Sequence, residues 1–401
     1  MRLHSIGRPS SSFDPILGRV TTAPLDDLEA RGDHIVLVTE DTLPRFEGDF
    51  EGYAGALSPD SPEEDIPSDL PSVWEVGSLD YLGDGDVVQL QPSGTVAVFF
   101  RSGSLHNTLL TTERCNSYCL MCSQPPKEKD ERHRAADILR AIELIEPWCP
   151  AMGLSGGEPT LLGDDFLRII SKFKEFLPLT GLHVLTNGRR FEDRAFAHAL
   201  GDIRHPDLML GIPLYSDIDS DHDYVVQARG AFEQTMNGLY NLAEAGVLLE
   251  IRVVLHAQTY RRLPRLAQFI AENLPFASHV ALMGLEMFGF VHKNFSDLWI
   301  DPVDYQPQLT AAIRTLALSG MNVSIYNHQL CTLPEELWPF TCKSISDWKN
   351  VYLEECSECG MREFCGGFFH SATKKHSEHI QPLPMPSPAE ERQLRHHLNL
   401  P

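Results

Sequence analysis

Long apolar runs and positive charge are both scarce in this chain of 401 residues. No apolar stretch approaches the roughly 18 residues that a membrane-spanning helix requires, so we expect no membrane span. Lys and Arg number 33 against 56 Asp and Glu, which gives a formal net charge of −23. A chain this acidic, without a run of basic residues, repels nucleic acids and anionic membrane surfaces. The composition therefore argues against both as partners.

The first residues, Met1 to Gly7, contain no apolar core of the kind that a secretory signal has, so we expect a cytoplasmic protein. The chain has nine cysteines, and eight of them fall into two clusters along the sequence. In the reducing cytosol, clustered cysteines bind metals more often than they form disulfides. We therefore interpret both clusters as metal ligands.

The first cluster is the tightest feature of the sequence. Cys115, Cys119 and Cys122 fall within eight residues at the spacing C-x3-C-x2-C. Thiolates are soft ligands that hold iron–sulfur clusters, and a [4Fe–4S] cluster normally binds four of them. Three cysteines would leave one iron open to a substrate or cofactor, like the open position of a catalytic metal. A zinc knuckle, or three unrelated buried thiols, is the alternative interpretation.

A glycine-rich motif follows, reading Gly-Leu-Ser-Gly-Gly-Glu-Pro from Gly153 to Pro159. Paired glycines let the backbone approach a ligand closely, and a carboxylate suits an ammonium group. Together the two motifs resemble the C-x3-C-x-Φ-C and GGEP signatures of radical S-adenosylmethionine (SAM) enzymes, with Met121 at the usually aromatic position Φ. The resemblance implies a [4Fe–4S] cluster with an open iron that binds SAM. SAM is then cleaved to methionine and a 5′-deoxyadenosyl radical, which abstracts hydrogen from the substrate.

The resemblance also assigns further residues to the cofactor. It implies that Gly156, Gly157 and Glu158 hold the amino group of SAM. Polar residues at later strand ends would contact the ribose or carboxylate, namely Thr186, Asn187 and Ser216. Arg252 could pair with the SAM carboxylate if it points into the barrel. For each of these side chains a turn residue or a solvent-exposed position is the alternative interpretation.

Strand and helix patterns alternate six times between residues 105 and 320. The expected strands are 107–112, 151–154, 182–185, 208–214, 248–255 and 279–285. The expected helices are 134–146, 164–176 with Asp164 as its cap, 230–245, 263–273 and 304–318. Such repeats imply an α/β fold of parallel strands with right-handed crossovers. Six units match the partial (β/α)6 TIM-type barrel that the resemblance implies, whose chemistry sits at the C-terminal strand ends.

Two regions flank the barrel. Residues 1–104 predict a small β-rich domain, with a strand at 34–39 and a hairpin of 86–90 and 95–100 around Pro92-Ser93-Gly94. We interpret it as a scaffold that packs on the barrel, and a peptide-docking module is the alternative. Residues 381–401 predict a proline-rich, charged tail with one short helix.

The second cysteine cluster lies in residues 321–380, after a last expected strand at 322–326. Its members are Cys331, Cys342, Cys356, Cys359 and Cys365. The run from Cys356 to Cys365 resembles the C-x2-C-x5-C segment of SPASM domains, although the next cysteine of that pattern is replaced by Phe369. The resemblance implies a truncated, twitch-like region with one auxiliary [4Fe–4S] cluster, whose fourth ligand is Cys342 or Cys331. A structural zinc site is the alternative.

The resemblance can be narrowed by the residues around the first cluster. The run from Thr112 to Pro126, with its Cys-Ser-Gln-Pro-Pro extension, resembles the HxsC family of maturases from the His-Xaa-Ser system. That family implies a ribosomally made precursor peptide as substrate and a second radical SAM maturase as partner, with flavodoxin or ferredoxin as electron donor. The alternatives are a radical SAM enzyme acting on a small molecule or on a protein side chain, and a structural zinc or iron–sulfur protein without chemistry.

Overall fold

The N-terminal part of the computed structural model is a mixed eight-stranded sheet. The model describes residues 4–10, 12–61, 66–129, 131, 133–343, 350–373 and 375–397. The strands of this sheet are β1 His4–Ile6, β2 Arg8–Pro9, β3 Ile16–Thr21, β4 His34–Leu37, β5 Gly55–Leu57, β6 Ser72–Trp74, β7 Val87–Leu90 and β8 Thr95–Phe100, with short helices α1 Leu28–Arg31 and α2 Leu43–Phe46. The expected hairpin is confirmed, because β7 and β8 pair antiparallel.

The N-terminal sheet closes on itself at Gly7. Its strand order is β1-β8-β7-β3-β4-β5-β6-β2, so two strands that are adjacent in the chain occupy opposite edges. Only Gly7 separates them, and a Cβ at this position would lie 2.3 Å from the carbonyl oxygen of Trp74. A glycine therefore lets one short segment bend and pair with both edges of the sheet.

The second sheet carries the predicted strand–helix repeat. Its strands are β9 Asn107–Leu110, β10 Ala151–Ser155, β11 Gly181–Leu185, β12 Leu208–Pro213, β13 Leu248–Leu255, β14 His279–Gly284, β15 Val323–Tyr326 and β16 Thr341–Cys342. The helices are α3 Arg134–Leu144, α4 Asp164–Phe176, α5 Arg194–Ile203, α6 Asp219–Val226, α7 Ala231–Glu244, α8 Leu263–Asn273, α9 Phe295–Leu298, α10 Gln306–Leu318 and α11 Pro388–His397.

Every strand of the second sheet pairs with its chain neighbour in parallel, in the order β9 to β16. All six expected strands and the last strand before the cysteine-rich region are confirmed, and β16 was not predicted. The expected cap of α4 is wrong by one residue, because Gly163 is the N-cap and Asp164 is the first helical residue. The carboxylate of Asp164 still lies in the first turn, where the helix dipole favours negative charge.

The two faces of the second sheet differ in chemistry. On β13, Leu249, Ile251 and Val253 are buried in the main core with the helices. The alternate residues point to the opposite face, and among them Arg252 and Val254 line a central cavity. Apolar residues therefore hold the helices, while the opposite face carries the polar side chains that build the site. No helix of the described ranges is both long and apolar enough to cross a membrane.

The N-terminal sheet packs against α3. Val87 and Phe100 belong to the same buried core as Ile138 and Ile142 of that helix. Ion pairs join Arg140 to Asp33 and Arg19 to Glu146 across the same contact. The N-terminal sheet is therefore packed on α3, while its role as a scaffold and the domain boundaries stay predictions.

Candidate active site

The loop with the first three cysteines follows β9 and is held by backbone hydrogen bonds on two sides. The N–H groups of Tyr118 and Leu120 donate to the carbonyl oxygens of Val226 and Val225 at 3.0 and 2.9 Å. The carbonyl oxygen of Cys122 accepts from the N–H of Phe290 at 2.9 Å. The loop is therefore fixed between the end of α6 and the segment that follows β14.

The thiols of Cys115, Cys119 and Cys122 are partly buried and interact electrostatically with one another. Burial raises the pKa of Cys115 to about 11, and it also raises the pKa of Cys119 and of Cys122. A bound cation offsets the energetic cost of a buried thiolate, so such thiols ionise when the cation binds. The three donors therefore fit iron. Among the described residues, no three His, Cys, Asp or Glu side chains converge on a single metal ion. A [4Fe–4S] cluster instead distributes its thiolates over separate irons.

The glycine pair lies directly behind the cysteine loop. A Cβ at Gly156 would lie 2.4 Å from the carbonyl oxygen of Thr112, and one at Gly157 would lie 2.0 Å from that of Arg114. The N–H of Gly157 donates to the Thr112 carbonyl oxygen at 2.7 Å. Both glycines also line the central cavity. Both positions therefore need glycine because the backbone of the cysteine loop passes so close to them. Sequence reasoning had assigned the glycines to ligand contact and did not predict this packing.

The carboxylate of Glu158 is buried and bonded inside the protein. One oxygen accepts from the hydroxyls of Thr160 and Thr186, each at 2.6 Å, and from the N–H of Thr160 at 3.1 Å. The other oxygen accepts from the N–H of Asn187 at 2.7 Å. Glu158 thus joins the end of β10 to the end of β11. The resemblance implied that this carboxylate helps to hold the amino group of SAM, and the structure gives the side chain four donors inside the protein.

The central cavity has a volume of about 280 Å³ and lies at the C-terminal ends of β10 to β15. Besides the glycine pair, six predicted site residues line it, namely Cys115, Cys119, Cys122, Thr186, Asn187 and Arg252. The amide of Asn187 donates to the side-chain oxygen of Asn116 at 2.6 Å, which connects β11 to the cysteine loop. One cavity therefore brings together residues that lie more than 130 positions apart in the chain.

Ser216 is placed differently from the other predicted residues. It does not line the cavity, its side chain is buried, and its hydroxyl accepts the N–H of Ile218 at 3.1 Å. Its position is that of a turn residue after β12, so the expected contact with a cofactor is not supported. The neighbouring Tyr215 does line the cavity, and burial raises its pKa.

The second cysteine cluster forms a separate pocket in the C-terminal region. Four of its five members line this four-cysteine pocket, namely Cys331, Cys356, Cys359 and Cys365. Cys342 is not among them and lies on β16, where it pairs with Tyr326 of β15 in the register of the sheet. The sequence left the fourth ligand open between two cysteines, and the geometry places Cys331 with the other three.

Residues 380–385 cover the four-cysteine pocket. The N–H of Leu383 donates to the sulfur of Cys359 at 3.3 Å, and its carbonyl oxygen accepts from the N–H of Gly360 at 2.8 Å. A Cβ at Gly360 would lie 2.4 Å from the backbone nitrogen of Met385. The start of the predicted tail is therefore packed on the pocket, and only the later helix α11 matches the expectation of a short helix.

Comparison with known proteins adds to this geometry. Residues 109–270 match the model of the radical SAM superfamily. The matched residues include the three-cysteine loop, the glycine pair and Arg252. Fe-coproporphyrin III synthase of Methanosarcina barkeri (strain Fusaro / DSM 804) is 26% identical over 167 residues, which is 40% of this chain and 40% of the synthase.

Two solved structures are similar to part of this chain. Streptococcus suis SuiB bound to S-adenosylmethionine gives a TM-score of 0.46 at 15% identity, over 58% of this chain and 52% of SuiB. The anSMEcpe protein with bound AdoMet gives a TM-score of 0.49 at 14% identity, over 72% of this chain and 91% of that protein. The chain thus spans less than two thirds of the length of the synthase and of SuiB.

Two residues that orient the cysteine loop were missed by sequence reasoning. Arg189 donates to the carbonyl oxygen of Asn116 and, at 3.1 Å, to the hydroxyl of Ser117. Glu131 accepts from the hydroxyl of Thr112 at 2.6 Å and from the N–H of Glu113. Arg189 directly follows the predicted Thr-Asn-Gly strand end, which is the one signal that could have found it.

Proposed function

We propose that this protein is a radical SAM enzyme. The observation that carries the proposal is the meeting of the three-cysteine loop, the glycine pair and Arg252 around one cavity at the C-terminal strand ends. Cys115, Cys119 and Cys122 would hold a [4Fe–4S] cluster with an open iron. When bound, the reduced cluster supplies the electron that cleaves SAM to methionine and a 5′-deoxyadenosyl radical, which takes a hydrogen atom from the substrate.

The residues of the chain position SAM and its reaction. Backbone groups at Gly156 and Gly157 lie at the cavity wall next to the cysteine loop, where the amino group of SAM would bind. Glu158 holds Thr186 and Asn187 in place, and these two residues line the cavity on the side where the ribose would lie. The guanidinium of Arg252 offers the charge that a carboxylate requires.

We further propose an auxiliary [4Fe–4S] cluster in the four-cysteine pocket, with Cys331 as its fourth ligand. Four thiolates complete the ligand set of one such cluster. Burial raises the pKa of Cys365 to about 11 and raises that of Cys331, as in the first site, so these thiols also suit a cationic ligand. The covering segment 380–385 shields the pocket and donates an N–H to a sulfur, an interaction that tunes the potential of such clusters. Cys342 takes no part in this proposal.

The substrate that we propose is a ribosomally made precursor peptide of the His-Xaa-Ser type. This finer proposal is supported by the resemblance of Thr112 to Pro126 to the HxsC family and by the four-cysteine pocket, which resembles the auxiliary sites of peptide-modifying enzymes. It includes a second radical SAM maturase as partner and a flavodoxin or ferredoxin as electron donor.

A small-molecule substrate is the second candidate, and it is favoured by one observation. The curated relative with 26% identity is named as a synthase of Fe-coproporphyrin III, which is not a peptide. A zinc-binding protein without chemistry is a third candidate, which metal analysis separates from the others: it predicts zinc without iron or sulfide.

The experiment measures 5′-deoxyadenosine formed by the anaerobically reconstituted, reduced protein with SAM. The control is the Cys115→Ala/Cys119→Ala/Cys122→Ala triple variant. We expect product from the parent and none from the variant, and a further increase on addition of a peptide with His-Xaa-Ser repeats. A parent with a full load of iron and sulfide that forms no 5′-deoxyadenosine, with or without that peptide, would contradict the proposed function. Formation that a tetrapyrrole raises and the peptide does not would favour the small-molecule candidate.

A further inference from the structure

A buried carboxylate lies beneath the central cavity, in contact with the arginine that lines it. Glu250 precedes Arg252 by two residues on β13, so both side chains point to the same face of the sheet. One oxygen of Glu250 accepts from the guanidinium of Arg252 at 2.7 Å. The other lies 2.7 Å from Nδ1 of His279 on β14, and Nε2 of His183 on β11 lies 3.4 Å from the first. Glu250 is only 5% exposed, so its carboxylate is surrounded by these side chains and has little contact with solvent.

A glycine on the intervening strand makes this arrangement possible. Gly211 of β12 pairs with Glu250 in the register of the sheet and lies between β11 and β13. A Cβ at Gly211 would lie 2.9 Å from Cδ of Arg252 and 3.0 Å from Nε2 of His183. The absence of a side chain here lets His183 reach across to Glu250 and lets Arg252 lie over the strand. Any larger residue would displace one of the two.

The charge of Glu250 is maintained by its partners. Although burial raises its pKa, the neighbouring rings of His183 and His279 and the charge of Arg252 hold that pKa well below its usual range. Glu250 is therefore ionised at neutral pH. The second contact of the guanidinium is with the sulfur of Met283 at 3.2 Å, which is a weak acceptor. One nitrogen of the Arg252 guanidinium is thus held by the Glu250 carboxylate, and another contacts only the weak acceptor Met283. The same side chain lines the cavity.

We propose that Glu250 is a positioning residue that fixes the guanidinium of Arg252 to receive the carboxylate of bound SAM. The inference rests on the proposed function, because it takes SAM as the ligand of the cavity. An arginine that is held before its ligand arrives loses less side-chain freedom on binding, so the fixed geometry strengthens binding. A glutamate that acted only as a competing counter-ion would have the opposite effect, since neutralising it would release the arginine for the ligand.

The experiment measures the binding of SAM and of 5′-methylthioadenosine to the anaerobically reconstituted full chain by equilibrium dialysis. The second compound keeps the adenosine and sulfur but lacks the amino and carboxyl groups. For Arg252→Ala we expect the Kd of SAM to rise about 10- to 100-fold, as for a lost charge-assisted hydrogen bond, and the Kd of 5′-methylthioadenosine to stay within about twofold.

The test of Glu250 is a double-variant cycle. Glu250→Gln keeps the side-chain volume but removes the negative charge and points an N–H donor at neighbouring donor groups. We therefore expect the Kd of SAM to rise about 5- to 20-fold in the parent. In the Arg252→Ala background the same change should raise it less than about twofold. The control Glu272→Gln makes the same change on the exposed face of α8, where its partner is Gln268, and should leave the Kd unchanged.

Three results would overturn the inference. They are tighter SAM binding by Glu250→Gln, an equal weakening in both backgrounds, or an equal weakening for 5′-methylthioadenosine. If Glu250→Gln does not fold, Glu250→Asp is the second variant. It keeps the negative charge on a side chain one methylene shorter, further from the guanidinium. It should weaken SAM binding only when Arg252 is present. A parent that carries its full iron load and binds no SAM contradicts the proposed function itself, and is thereby distinguished from a failure of Glu250 alone.

Discussion

The choice between Cys331 and Cys342 as the fourth ligand of the proposed auxiliary cluster gives the sharpest prediction about the cysteine-rich region. Cys331 lines the four-cysteine pocket, whereas Cys342 lies on β16 beside Tyr326 of β15. In the Cys115→Ala/Cys119→Ala/Cys122→Ala background, only the auxiliary cluster remains, so we expect about four irons per chain after reconstitution. Adding Cys331→Ala removes one of four thiolates and should lower this to about three or fewer, because the iron without a thiolate is the one most readily lost.

The matched control is Cys342→Ala in the same background. It removes another cysteine of the C-terminal region, one outside the four-cysteine pocket, and should leave about four irons per chain. The assay combines iron and sulfide analysis with the EPR spectrum after brief exposure to air, in which only the Cys331→Ala protein should show the signal of a three-iron cluster. The reverse pattern, with iron lost from Cys342→Ala and retained by Cys331→Ala, would refute the assignment.

Two further predictions concern the glycine pair and the carboxylate beside it. Gly157→Ala places a Cβ 2.0 Å from the carbonyl oxygen of Arg114, so we expect a loss of about 1–3 kcal/mol in the free energy of unfolding, measured by chemical denaturation. Gly103→Ala, which meets nothing within 4 Å, should change it much less, and an equal loss for both would contradict this reasoning. Thr186→Val removes one of the donors to Glu158 and should cost about 1 kcal/mol in the same measurement. No change would mean that water or another group replaces the hydroxyl.

Motifs and local patterns were enough to predict the strand–helix repeat and the cavity residues from the cysteine loop, the glycine pair and Arg252. Strands such as β13 were found with both ends in place, because apolar residues occupy every second position from Leu249 to Leu255 after a glycine turn. The site followed because parallel strands bring their C-terminal ends to one edge. The strands were predicted from periodicity and chain order, whereas the site residues were implied by the family resemblance.

What sequence reasoning missed depends on register and on contacts between distant segments. The closure at Gly7 requires knowing which strands lie at the two edges of the N-terminal sheet. The contact of His183 with Glu250 across Gly211 requires the register of three strands. Ser216 has the residue type of a ligand contact, but the turn after β12 turns its hydroxyl to the N–H of Ile218. A polar residue at a strand end therefore indicates a candidate, and only the turn geometry decides its partner.

The most direct test of the central claim is whether SAM binds to the cluster held by the first three cysteines. The Cys356→Ala/Cys359→Ala/Cys365→Ala variant retains that cluster alone, so the EPR spectrum of its reduced form reports on one site. We predict that addition of SAM changes this spectrum, because SAM becomes a ligand of the open iron, and that 5′-methylthioadenosine, which lacks the amino and carboxyl groups, does not. A spectrum that SAM leaves unchanged, from a variant with about four irons per chain, would contradict the account.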